Sequence, residues 1–271
     1  MIPDLLDALV RPGGYRRFAG EKNARTAAYI AFLSLIFVGS IGIAVKLRLA
    51  PLFDETFAWL QASMPPLTFA NGTVSSSAAA PVRLEHPRAK DVALMIDTSR
   101  KDAVTVQQMT DAKVLGYLTS NALYLKRGED DKSSLETIDL SKSTSDRPLT
   151  VDAGSYKDME RAFDWVFYPA LMLFFFLTFA ISLAFCGLLY ALAGMIMASA
   201  SGGGLPFGAL FRIAVHAQTA GSLLYALDAL LPRSIPFYTI ASVAMTLVYL
   251  WLGVRAAAAA PAATEPPPPA A

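Results

Sequence analysis

Residues 165–200 read WVFYPALMLFFFLTFAISLAFCGLLYALAGMIMASA, thirty-six positions without a charged side chain, and the next charge is Arg212. As an α-helix that run is about 54 Å long, against roughly 30 Å for the hydrocarbon core of a bilayer. Two crossings would need about 17 residues each and leave nothing for a turn. The first break is SASGGG at 199–204, where small residues and glycines release the chain. The reading is therefore one long membrane helix whose end emerges from the lipid.

Three further stretches follow the same logic. Thr26–Val45, TAAYIAFLSLIFVGSIGIAV, is twenty uncharged residues and makes a first span over 26–45. It exceeds the h-region of a cleavable signal, about 7 to 15 residues, and KLRLAPLF beyond it offers no small-residue cleavage site. A third span is expected over 206–231, closed by Pro232, and a fourth over 235–254. The tail 255–271, AAAAAPAATEPPPPAA after Arg255, is low-complexity and is expected to be disordered. Composition agrees: of 271 residues 54% are hydrophobic and only 17% charged, where a soluble domain carries about a quarter charged. Mean hydropathy is +0.43.

A net charge of +1 gives no basic field to hold nucleic acid. One cysteine, Cys186, excludes an intrachain disulfide and a thiolate cluster, and two histidines, His86 and His216, leave little for a metal site. No metal or cofactor is expected. Arg11, Arg16, Arg17, Lys22 and Arg25 flank the first span, which places the N-terminus in the cytoplasm. Four spans return the C-terminus there too and leave 46–164 on the outer side.

Residues 1–25 form an N-terminal segment in which Ile2, Leu5, Leu6, Leu9 and Val10 recur on one helical face. That stripe suits a helix lying in the membrane interface, or one packing on the ends of neighbouring spans. The outer segment 46–164 is long enough for a small domain. Asn71-Gly72 between two short strand-like runs is a strong hairpin signal, because both turn positions need positive φ. Further strands are expected at 92–97, 114–119, 122–126, 135–140 and 149–152, with polar turns between and helices at either flank. The fold class is thus an α-helical polytopic membrane protein with four transmembrane helices and an inserted small mixed α/β, β-rich extracytoplasmic domain.

Chemistry-bearing residues are few. Asn71, Gly72 and Thr73 spell a glycosylation sequon, yet their position reads as a hairpin turn. Asp97 and Thr98 end a strand, where an aspartate ordinarily caps the next turn. Glu129, Asp130 and Asp131 lack the spacing and glycine of a calcium loop and read as a solvated turn. Within the third span, Arg212, His216 and Thr219 share one face and Asp228 lies near its end. Functionally this is a candidate ion or proton path; structurally, Arg212 can snorkel while His216 and Thr219 bond between helices. The other spans offer no ionisable carboxylate or amine to face them. Phosphate loops, the GxSxG elbow and HExxH are absent, so no catalytic signature is found.

The order of features, with RPGGYRRFAG, ANGTVS, VALMIDTS and FGALFRIAVHAQT as its motifs, resembles the bacterial integral-membrane family known as domain of unknown function 1189, and more distantly Yip-type membrane proteins. The resemblance covers nearly all of the chain except the proline-rich tail. It implies a bacterial cytoplasmic-membrane location and brings no reaction, cofactor or site residues. The expectation is a non-enzymatic sensor, binding or scaffold protein acting through its outer domain. Its partners would be the lipid bilayer and a membrane or extracytoplasmic protein. A transport component using the third-span polar residues is the alternative. In membranes washed with alkaline carbonate, the full-length protein is expected to stay in the pellet; release into the wash would contradict the membrane reading.

Overall fold

The computed structural model describes residues 1–88, 93–128, 134–142, 147–200 and 204–259. The chain divides into two units, Met1–Arg48 with Tyr168–Ala271, and Leu49–Phe167. In chain order the helices are α1 (Ile2–Val10), α2 (Tyr15–Ala19), α3 (Asn23–Arg48), α4 (Ala50–Ser63), α5 (Val106–Asp111), α6 (Ala153–Ala162), α7 (Tyr168–Ala200), α8 (Phe207–Ala217), α9 (Thr219–Leu230) and α10 (Tyr238–Ala258).

The first unit is helical because its sequence leaves the backbone no other donor or acceptor in an apolar medium. Helix α7 runs 33 residues without interruption, and through a π-helical turn at Phe163–Phe167 it continues α6 as one helix, Ala153–Ala200. It is apolar on all sides, with Leu173, Ile181, Phe185 and Ile196 exposed, as expected of a helix that meets lipid rather than water. Among the described residues three helices are long and apolar enough to cross a membrane: Asn23–Arg48, Ala153–Ala200 and Tyr238–Ala258.

The stretch expected as an unbroken third span differs. It is split at Gln218 into α8 and α9, of 11 and 12 residues. The physical reason is competition for carbonyls: the Thr219 hydroxyl donates to the His216 carbonyl at 2.6 Å, and the Gln218 amide nitrogen donates to the Leu183 and Ala214 carbonyls at 3.2 and 3.4 Å. At the far end of α9, Asp228 accepts from the Ser234 hydroxyl and the Ile235 amide at 3.0 and 2.6 Å, fixing the turn into α10.

The N-terminal segment folds onto this unit. Tyr15 and Phe18 of α2 are fully buried beside Leu210, Ile213, Leu250 and Val254 of α8 and α10. Gly253 makes room for them, since a Cβ there would lie 2.5 Å from Tyr15 Cδ1 and 2.8 Å from Ile213 Cγ2. Helix α1 turns its Asp4 and Ala8 inward and leaves Ile2, Leu6 and Val10 of the expected apolar stripe exposed.

Among the described residues the second unit carries eight strands, β1 (Leu67–Ala70), β2 (Thr73–Ser76), β3 (Val82–Glu85), β4 (Ala93–Asp97), β5 (Gly116–Thr119), β6 (Ala122–Arg127), β7 (Ser134–Asp139) and β8 (Leu149–Val151). They form a three-stranded sheet in the order β2-β1-β8 and a five-stranded sheet in the order β3-β4-β5-β6-β7. All pairs are antiparallel except β4 with β5, which are parallel and joined by a connection containing α5. Asn71 and Gly72 make the β1–β2 turn with φ of 49° and 70°. Gly72 is required there twice over, because a Cβ would stand 2.8 Å from the Ser141 backbone. Buried Leu67, Val74, Leu84, Ile96 and Leu118 form one core cluster; Val104, Met109, Val114, Tyr117 and Tyr124 lead another.

Gly253→Ala overpacks Tyr15 and Ile213 and is expected to destabilise the detergent-solubilised protein by about 1–3 kcal/mol, read as a lower melting temperature. An unchanged melt would show that the N-terminal segment does not pack there.

Candidate functional site

The densest arrangement of polar chemistry lies where the N-terminal segment meets α8. His216 sits on the inward face of α8 with a side chain only 1% exposed. Phe18 and Tyr29 stand edge-on to its imidazole, with ring centroids 3.7 and 4.1 Å away. Glu21, in the short connection between α2 and α3, brings Oε1 to 3.2 Å from His216 Nε2, and its own side chain is only 4% exposed. The approach is off the hydrogen-bonding direction, so both imidazole nitrogens are buried without a directed bond.

Glu21 is held by neighbours on its own connection. The Thr26 hydroxyl donates to Oε1 at 2.8 Å and Arg25 Nε lies 3.6 Å from Oε2. Burial pushes the Glu21 carboxyl up from its ordinary range, and the Thr26 bond and the Arg25 charge only partly offset this. Arg25 reaches past it to Asp4, donating to the two carboxylate oxygens at 2.8 and 2.9 Å. Arg17 donates to Asp4 at 2.6 Å and to Asp7 at 3.0 Å, and the Met1 ammonium lies 3.5 Å from Asp4. Burial alone would raise the Asp4 carboxyl; the Arg25 bond and these cations outweigh it and hold it below the usual value.

Of the four third-span residues expected to matter, three belong to this arrangement. Arg212 donates to the Ala19 carbonyl at 2.6 Å and to Asn23 at 3.4 Å. Thr219, having given its proton to the His216 carbonyl, accepts from Tyr29 at 2.8 Å. Asp228 does not join them and serves the turn before α10. Sequence reasoning sought a charged partner for His216 on the other spans; the partner is Glu21, which precedes the first span. Its position two residues before α3 was the available signal, together with the aromatic and basic run YRRFAG that carries Phe18 and Arg17 alongside.

In the second unit, Asn71 and Gly72 border a cavity of about 170 Å³ with Phe69, Leu140, Arg147 and Leu149. Asp97 accepts from the Ser99 hydroxyl at 2.6 Å, the Ser99 amide at 3.3 Å and the Tyr117 hydroxyl at 3.4 Å, which makes it the cap of the turn after β4; Thr98 lies half-buried in that turn. Glu129, Asp130 and Asp131 lie outside the described residues. His86 is buried against Trp59, with Thr56 Oγ1 at 3.3 Å from Nε2. Among the described residues no three His, Cys, Asp or Glu side chains gather as metal ligands would.

Chemically, an imidazole and a carboxylate in contact can exchange a proton, but both are closed off and hold no nucleophile between them. What the arrangement does is fasten the segment before the first span to α8. Fold and site together define a mostly helical chain with membrane-compatible helices and a small mixed-sheet unit inserted into it. The family model described as "Protein of unknown function (DUF1189)" matches residues 3–254, and the chain belongs to that family. No curated protein and no solved structure matches it.

The two carboxylates have opposite linkage. Asp4, lowered, stabilises the fold above its ordinary value of 3.8 and loses that contribution as pH falls through its lower folded value. Glu21, raised, contributes below its ordinary value of 4.5 and loses that contribution as pH rises through its higher folded value. Near neutral pH, Asp4→Asn is expected to cost about 2 kcal/mol through its charge-assisted bonds, whereas Glu21→Gln leaves the melting temperature unchanged or raises it. Equal destabilisation by both would refute the assignment.

Proposed function

We propose that this is a four-span protein of the bacterial cytoplasmic membrane, with both termini inside and Leu49–Phe167 on the outer side. It acts by binding a ligand or protein partner through that outer unit, not by catalysis. The observation that carries the reading is that Leu49–Phe167 has its own two core clusters and two sheets and opens a cavity beside the Asn71–Gly72 turn. A mere connector would need neither. In this reading α8 and α9 together make the third crossing: 23 helical residues of the two, with Gln218 between, span about 36 Å.

The transport alternative loses the residues it was built on, because Arg212 and His216 are engaged by the N-terminal segment, Thr219 by Tyr29 of α3 and Asp228 by a turn. It keeps one supporting feature, the helix break at Gln218, since broken helices line transport sites in many carriers.

In intact cells, a cysteine placed at Thr137 in a Cys186→Ala background is expected to react with a membrane-impermeant maleimide, while one placed at Ala259 is not. In a deletion strain, full-length protein with His216→Ala should complement as the parent does, and Leu149→Arg, which fills the outer cavity, should not. The reverse pattern, or solute flux in proteoliposomes that depends on His216 and Asp228, would favour transport.

A further inference from the structure

Where α8 gives way to α9, the helical unit holds a cavity of about 250 Å³ lined from α7, α9 and α10 by Ser182, Cys186, Ser222, Ser242 and Thr246, with Gln218 at the break itself. We infer that this cavity is a binding site for a small uncharged ligand bearing several hydroxyl groups. The inference rests on the membrane placement proposed above but not on any role of the outer unit.

The serines provide an internal comparison. In α3, Ser34 and Ser40 turn their hydroxyls back to the carbonyls of Ile30 and Ile36 at 2.8 and 3.0 Å, the ordinary way to satisfy a hydroxyl inside an apolar helix. At the cavity, Thr246 does the same toward Ser242, and Gln218 donates to Leu183. Ser182, Ser222 and Ser242 do not: among the described residues their hydroxyls make no hydrogen bond to protein. Ser222 and Ser242 are only 7% and 8% exposed, yet their hydroxyl oxygens are not fully enclosed, so they remain open to a small molecule beside them. Ser182 on α7 is exposed at the cavity's edge, whereas the Ser222 and Ser242 hydroxyls, from α9 and α10, are held without protein partners around one space, and each would be a cost in a low-dielectric interior unless something between them accepts and donates.

The chemistry of the lining sets the ligand class. No charged or imidazole side chain lines the cavity, so an ionic ligand would enter without a counter-charge. Hydroxyls both donate and accept, which matches a ligand that does likewise. At about 30 Å³ per water-sized group, the volume admits about eight such groups, the size of a short polyol. Two sources carry that chemistry: a free polyol from the water phase, or the hydroxyl-bearing glycerol moiety of a neutral lipid. Stacked Phe37 and Phe179, 4.0 Å apart at the cavity wall, offer the apolar contact that either would need for its carbon face.

Cys186 is the only cysteine in the chain, so its alkylation reads this cavity alone. Full-length protein is placed in nanodiscs of dioleoylphosphatidylcholine, which has no hydroxyl. The rate of reaction with N-ethylmaleimide is then followed by intact mass, with glycerol in the buffer or with dioleoylglycerol in the disc. The melting temperature is measured in the same samples. One arm is expected to slow alkylation about fivefold, the mass-action factor when ligand stands at about four times Kd, and to raise the melting temperature. The arm that does so identifies the source. Ser182→Ala/Ser222→Ala/Ser242→Ala should lose both effects, and Ser222→Ala alone serves if the triple variant does not fold. Should Cys186 prove unreactive, the melting shift decides. Unchanged rate and melt in both arms, or protection that survives the serine variants, would overturn the inference.

Discussion

A peptide group cannot be left without a hydrogen-bond partner in hydrocarbon, and every other feature of the helical unit depends on that constraint. It forces the uncharged 165–200 run into an unbroken helix, and it makes each departure from helix a place where side chains must substitute for backbone. At Gln218 they do so: a threonine hydroxyl and a glutamine amide take up carbonyls at or near the break. The cavity lies at this point, where irregular backbone at membrane depth is tolerated because it is buried in protein or lines a cavity.

The same constraint explains the segment before α3. Five cations ahead of a span would ordinarily remain in water, yet two of them, Arg17 and Arg25, converge on the buried carboxylate of Asp4. This neutralises charge at the edge of the apolar unit and lets Tyr15 and Phe18 sink between α8 and α10. Glu21 is the less settled member, carrying a burial penalty that its neighbours offset only in part. Asp4 ties the segment to itself through Met1, Arg17 and Arg25, while Glu21 is the carboxylate that stands against the imidazole of α8.

How much of this the sequence disclosed follows from the range of each interaction. The long helix, the Asn71–Gly72 hairpin and most strands were legible because charge, turn chemistry and alternation act over a few neighbouring residues. Strand β3 was missed: Val82–Glu85 does alternate apolar with charged, but over only four residues, too short a run to stand out. The parallel pairing of β4 with β5 was equally hidden, being a decision between strands and not within one. The Arg212, His216 and Thr219 face was visible as spacing, but Glu21 is nearly two hundred residues earlier in the chain. The α8–α9 break hid for a different reason, since glutamine and threonine in an apolar run also fit an unbroken helix.

Tyr29 bonds to a residue 190 positions later, and Arg212 to one 193 positions earlier. Translation at about 5 to 20 residues per second therefore separates the two halves of the contact by about 10 to 40 seconds. During that interval Asp4 already has Arg17 and Arg25, but the newborn leader carries a glutamate and two aromatic rings with nowhere to settle. Assembly of the helical unit thus closes backward, its first-made piece seated last, and a nascent chain that stalls before α8 displays an unsheltered leader by which a quality-control protease or chaperone could tell it from a finished one.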